Sequence, residues 1–168
     1  MDDYDYKEAT QAACWVLLPN LGGLAGFYIV KSKHDQVAER CPPARLYPGG
    51  TGQVALWVLF NSAMGYAAYL VFRDGRGLHG PARPALAVFS AGLCYNWAWP
   101  PVFYSREKLA LAMVDVSLLC GAVALLGRLY FPINQKAAKI MLPCFAWALC
   151  VATFNFRVWR WSKRRSSA

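Results

Sequence analysis

Apolar residues fall into five long runs, at about residues 9–30, 51–72, 84–103, 109–126 and 135–159, divided by polar stretches. Each approaches or exceeds the roughly 20 residues that a helix needs to cross a bilayer core. The pattern predicts an all-α integral membrane protein, a five-transmembrane-helix bundle. Residues 1–8 read as an acidic N-terminal tail, 9–160 as the five-helix membrane domain and 161–168 as a basic C-terminal tail. The longest connection, residues 31–50, is predicted as a polar loop, turn-rich from Cys41-Pro42-Pro43 to Pro48-Gly49-Gly50, in the size class of lids and binding loops. Within the runs, small residues mark expected helix contacts. Gly22 and Gly26 form a G-x-x-x-G pair beside Pro19, and the segment from Asn61 to Tyr69 is rich in Ala, Gly and Ser. Gly121, Ala122 and Ala124 give the fourth run a similar face.

Composition supports the membrane reading. The 168-residue chain is 57% hydrophobic, 15% aromatic and only 16% charged, well under the quarter usual for soluble domains. The net charge of +9 lies between the runs and in the tail rather than along one face. It reads as membrane flanks facing anionic headgroups, with no nucleic-acid motif beside it. With five spans, the side holding the first loop, the third loop and the C-terminus carries eleven basic residues against seven opposite. The positive-inside rule therefore places the C-terminus in the cytosol. Five of the six cysteines, Cys14, Cys94, Cys120, Cys144 and Cys150, sit in apolar runs, are expected to be small buried hydrophobes, and form no C-x-x-C pair. The N-terminus resembles neither a secretory signal nor an arginine-rich presequence.

The chemistry that stands out is aromatic and amide. Asn96-Trp97-Ala98-Trp99-Pro100-Pro101 closes the third run. Two indoles at the end of a span suit a membrane–water belt, and a proline pair bends or ends a helix; the same residues also suit a shaped aromatic wall beside a ligand. Asp115 is the one carboxylate well inside a span, where it either pairs between helices or ends a cavity in a polar group. Asn96 and Asn155 likewise need partners. His34 and His79 fall in predicted loops. No nucleophile elbow, metal-ligand spacing or phosphate-binding glycine loop is present, so no catalytic or metal-binding residue is assigned.

Four ordered segments carry a family likeness. They are Ser62-Ala63-Met64-Gly65-Tyr66, Asn96-Trp97-Ala98-Trp99-Pro100-Pro101, Met113-Val114-Asp115, and Trp147 with Ala152-Thr153-Phe154-Asn155. Together they resemble the translocator protein family, also called tryptophan-rich sensory proteins or peripheral-type benzodiazepine receptors. The resemblance implies a five-helix bundle, often dimeric, with a cavity near the cytosolic side beneath the first loop. It implies binding of cholesterol and porphyrins (porphyrin or haem as a ligand, with no resident cofactor), and an outer-mitochondrial-membrane location with relatives in the endoplasmic reticulum or plasma membrane. By residue match, Trp57, Asn96, Trp99, Phe103, Leu111, Asp115 and Trp147 are the ligand-binding candidates. Val151, Phe156 and Arg157 mark the sterol-recognition segment.

Four positions depart from the family pattern. A first-loop Trp usual two residues before a Pro pair is missing from Leu46-Tyr47-Pro48-Gly49, and Ala55 replaces a proline. Leu111 stands for a drug-contacting Trp, and Phe156 for the sterol-segment Tyr. The expected function is a membrane receptor or carrier for cholesterol or porphyrin. The alternatives are a porphyrin-degrading or redox-sensing protein, and a non-catalytic scaffold that assembles through its G-x-x-x-G face.

Overall fold

The computed structural model describes residues 3–40, 50–104 and 108–166, and every long element in it is a helix. These are α1 (Asp3–Arg40), α2 (Gly50–Asp74), α3 (Arg83–Phe103), α4 (Leu109–Tyr130) and α5 (Gln135–Ser166), with a short 3-10 turn at Gly77–His79. By length and composition α2, α4 and α5 each suffice to cross a membrane. Helices α1 and α3 are interrupted by Pro19 and by Pro100 and Pro101, and carry Asn, Trp and Gly in their apolar stretches.

Several helix boundaries differ from the sequence reading: α1 already begins at Asp3 and α5 runs on to Ser166, both within the expected tails. Residues 31–40 are not loop but the continuation of α1. The stretch Lys31-Ser32-Lys33-His34-Asp35-Gln36-Val37-Ala38-Glu39-Arg40 is polar, yet it holds no Gly or Pro and several good helix formers. It stops where Pro42 and Pro43 make helical geometry unfavourable. His34 therefore lies on a helix, while His79 is exposed in the 3-10 turn. The rest of that loop, including Leu46 to Gly49, lies outside the described residues. At 38 residues, α1 is about 57 Å long, so it runs well past a core of about 30 Å. Similarly, α4 continues past residue 126, with Arg128 in its last turn.

Packing contacts link the helices into a ring in the order α1, α2, α5, α4, α3 and back to α1, with α2 and α3 scarcely touching across the middle. Buried side chains form two clusters. One is rich in small residues (Ala67, Ala68, Ala85, Ala137, Ala138) and joins the C-terminal part of α2 to the start of α3, the end of α4 and the start of α5. The other is mostly aromatic or branched (Trp99, Phe103, Tyr104, Val116, Phe154, Val158) and joins the opposite ends of α3, α4 and α5. Large apolar side chains also cover the outside: Leu17, Leu59, Leu111, Val114, Leu125 and Leu142 are all exposed. An apolar exterior of this extent fits lipid as solvent.

Gly22 and Gly26, two of the three glycines of α1, seat α3. A Cβ on Gly22 would lie 2.2 Å from Trp97 Cγ, and one on Gly26 would lie 2.9 Å from Pro100 Cγ. The G-x-x-x-G face is thus occupied by α3 of the same chain. Gly65 does the same for α1 against α2: its Cβ would stand 2.2 Å from the backbone oxygen of Trp15. Pro19 has no N–H to return to that oxygen, and only a residue without a side chain lets α2 come close enough to cover it. Opposite the aromatic end, Arg73 bonds both Glu8 (3.1 Å) and Asp74 (2.8 Å), and Asn134 donates to Asp74. Asn134 Oδ1 also accepts from the Ala137 amide at 2.8 Å, capping α5. This places the start of α1, the end of α2 and the α4–α5 turn on one side, as alternating spans require.

The cysteines divide differently from expectation. Cys144 is buried, Cys120 half-buried, and Cys14, Cys94 and Cys150 are exposed. They are all free thiols, and on an apolar exterior a small hydrophobe needs no protein cover.

Candidate ligand-binding cavity

Successive helix positions turn by about 100°, so residues two apart face nearly opposite ways. That geometry splits the two indoles of α3. Trp97 turns to α1, where its Nε1 donates to the Pro19 oxygen at 3.0 Å. Trp99 turns inward and is only 2% exposed. Neither acts as an interfacial belt. Pro100 and Pro101 do not stop α3 at once; it continues to Phe103, and the Tyr104 amide still reaches the Pro100 oxygen at 3.0 Å.

In the middle of the ring, where α2 and α3 scarcely touch, α2, α3, α4 and α5 enclose a cavity lined by Trp57, Phe60, Asn61, Met64, Asn96, Trp99, Leu119, Val123, Cys144, Trp147, Ala148 and Val151. It measures about 520 Å³ counted out to its open mouth, but only about 50 Å³ admits the centre of a water-sized sphere. It is therefore a narrow slot, and a rigid polycyclic ligand would have to part the rings that line it. Those rings pack in series: Trp57 lies 5.4 Å from Trp99, Trp99 stacks on Phe103 at 4.9 Å, and Phe60 stacks on Trp147 at 5.3 Å.

A ladder of amides holds one wall. Trp57 Nε1 donates to Asn96 Oδ1 at 3.0 Å, and Asn96 Nδ2 donates to Asn61 Oδ1 at 2.7 Å. Asn61 Nδ2 in turn approaches the Pro19 oxygen at 3.5 Å. The ladder bridges α2, α3 and α1 at Pro19, where α2 and α3 scarcely touch. Each amide spends its oxygen on the ladder and keeps N–H capacity in reserve. Trp99 Nε1 is buried and has no hydrogen-bond partner. The polar groups on this wall are therefore mainly donors, and no charged side chain is among the lining residues.

Of the residues singled out from the sequence, Trp57, Asn96, Trp99 and Trp147 meet on this cavity. Phe103 sits behind Trp99, against Tyr104 and Phe154. Leu111 faces outward, 53% exposed. Asp115 is buried one turn before the cavity-lining Leu119 with its Oδ2 unpartnered, and one turn from Ala112, whose oxygen accepts from Asn155 Nδ2 at 2.9 Å. In the sterol segment Val151 lines the cavity, whereas Phe156 and Arg157 are exposed on the outside of α5. Asn61 was passed over as one of a run of small residues. An amide inside an apolar run, as much in need of a partner as Asn96, was the available signal. Gln53 was also missed; it is buried, accepts from the Tyr104 hydroxyl at 3.4 Å and leaves its Nε2 unsatisfied.

Fold and site together define a helical integral membrane protein with an aromatic-walled internal cavity. Comparison with known sequences agrees: the profile of the TspO/MBR family matches residues 13–160. The chain belongs to that family. It is 30% identical over 149 residues to "Translocator protein" of Sus scrofa, covering 89% of this chain and 88% of the relative. It is 28% identical over 156 residues to "Translocator protein" of Bos taurus, covering 93% and 92%. Similarity extends to "Translocator protein 2" of Mus musculus, 35% identical over 121 residues and 71% of each chain.

Proposed function

We propose that this membrane protein receives and carries a lipophilic polycyclic ligand, a sterol or a porphyrin, in the cavity between α2, α3, α4 and α5. The observation that carries the reading is the meeting of Trp57, Trp99, Trp147 and Asn96 on one slot that holds indole faces, N–H donors and no charge. Flat apolar rings stack on indoles, and a few fixed polar groups orient them. The names of the relatives speak of translocation, which supports carriage over catalysis. Asp115 and Phe103 serve as the supports of the wall. Leu111, Phe156 and Arg157 act from the lipid side, where a sterol would first meet the bundle. We place the protein in the outer mitochondrial membrane with its C-terminus cytosolic, on the family likeness and the excess of basic residues on that side. Pairing into a homodimer belongs to the same proposal.

The test is a titration of the purified protein with protoporphyrin IX, read by quenching of Trp emission, alongside photolabelling by a reactive cholesterol analogue. Saturable binding that is lost in Trp147→Ala and kept in Trp161→Ala is expected. Absence of saturation by both ligands overturns the reading. Consumption of the porphyrin, dependent on Trp57, would replace carriage by breakdown.

A further inference from the structure

A second hollow lies outside the bundle, where the hairpin of α4 and α5 opens to its surroundings. Its walls are Val123, Ala124, Gly127, Arg128 and Phe131 from α4 and its turn, and Ala138, Lys139, Met141, Leu142 and Phe145 from α5. About 430 Å³ of it admits the centre of a water-sized sphere, several times the room in the central slot. Gly127 and Ala124 leave one wall without bulk, and the exposed Phe131 and Leu142 stand at its sides.

The groove is graded from end to end. Arg128 lies two residues before the end of α4 and Lys139 four residues after the start of α5. At 1.5 Å per residue both sit within about 6 Å of the membrane end of the hairpin. Below them the lining is wholly apolar down to Val123 and Phe145. Neither cation has an ion pair among the described residues. Two carboxylates at this end are already engaged: Glu8 binds Arg73 and Tyr69, and Asp74 binds Arg73 and Asn134.

We propose that this groove is a binding site for a phospholipid with an anionic headgroup, its phosphate between Arg128 and Lys139 and one acyl chain along Ala124, Gly127, Leu142 and Phe145. Two cations above an apolar channel match that polarity, since a basic residue near the surface attracts an anionic lipid. A second copy of the chain fits worse. A two-fold axis along the membrane normal brings equivalent residues to one depth, so Arg128 and Lys139 would face their own counterparts. Free phosphate would use the cations and leave the channel uncovered.

The experiment is native mass spectrometry of the full-length protein in mild detergent, titrated with phosphatidylglycerol or with phosphatidylcholine of the same chains. One retained phosphatidylglycerol per chain, held about thirty-fold more tightly than phosphatidylcholine, is expected from two cations. Arg128→Gln with Lys139→Gln should erase the preference. Ala124→Trp, which fills the channel and keeps both charges, should weaken retention of both lipids. Arg83→Gln, a basic residue on the same side and outside the groove, should change nothing. Helix content by circular dichroism accompanies each variant, and the uncharged change at Ala124 stands if the double variant fails to fold. Equal retention of the two lipids, equal loss in Arg83→Gln, insensitivity to Ala124→Trp, displacement by millimolar inorganic phosphate, or dimers in place of the lipid adduct would each overturn the proposal.

Discussion

The two ends of the bundle solve the packing problem in opposite ways. Near the start of α5, alanines and Gly65 bring backbones together, and Arg73, Glu8, Asp74 and Asn134 tie the helix ends outside the lipid. Near the start of α4, large rings meet rings, and buried polar atoms go unanswered. Of the six buried side-chain atoms without a partner among the described residues, four belong to this half: Gln53 Nε2, Trp99 Nε1, Asp115 Oδ2 and Asn155 Oδ1. An unsatisfied buried group costs about 1–3 kcal/mol, so a half that keeps four of them has stability to spare from the other. The tight end holds the bundle; under the proposed function the loose end is the one that opens around a guest.

That contrast can be broken most severely at Gly65. A methyl there meets the Trp15 carbonyl, which is backbone and cannot swing away. Gly65→Ala should destabilise by about 3 kcal/mol, at the upper end of overpacking effects, and collapse the thermal midpoint. Gly121→Ala meets nothing within 4 Å and should leave the midpoint where it was. Equal melting of the two would mean that α1 and α2 are not packed as described.

Next in size is the amide ladder. Asn61→Leu removes the acceptor of Asn96 Nδ2 and leaves a buried donor unpaired, a loss of about 1–3 kcal/mol measurable by thermal or denaturant unfolding in detergent. It should also loosen the Trp57 indole and weaken porphyrin quenching. Trp147→Ala should reverse that balance, with binding reduced at least about ten-fold and the midpoint moved less than by Gly65→Ala, since it strips a ring from the loose half. A Trp147→Ala protein that melts early and still binds would place stability and site the other way round.

Smaller effects sharpen the picture. Phe156→Tyr lies on the exposed face of α5, so it should not alter unfolding. One hydrogen bond of about 0.5–1.5 kcal/mol would raise sterol labelling by a few-fold; no change would remove Phe156 from sterol contact. At the tight end, hydrogen bonds from Arg73 and then Tyr69 hold the Glu8 carboxyl below its ordinary pKa. A depressed folded pKa adds stability that is present above the ordinary carboxylate value and is lost as pH falls through the folded one. Acidification across that window should therefore loosen α1 from α2 slightly, and Glu8→Gln should flatten the dependence of the midpoint on pH.

Much of this was set by one-dimensional features. Length and hydropathy of the runs determine a five-helix membrane protein, because lipid demands that each span satisfy its own backbone. The indoles and amides that meet at the cavity were conspicuous as polar or amphipathic groups in apolar surroundings. Tertiary structure alone decided which way each one faces. Trp97 and Trp99 are the same side chain two positions apart, yet one closes over Gly22 and the other lines the slot, because helical rotation and the position of α1 separate them. Whether Gly22 and Gly26 serve another protein or their own α3 depended on which helix arrives at that face. Residues 31–40 continue α1 because polarity reports solvent contact rather than backbone conformation. The sequence shows that Asn61 needs a partner, but only folding names Asn96, 35 positions away, as that partner, since partnership between distant side chains is written in three dimensions and not along the chain.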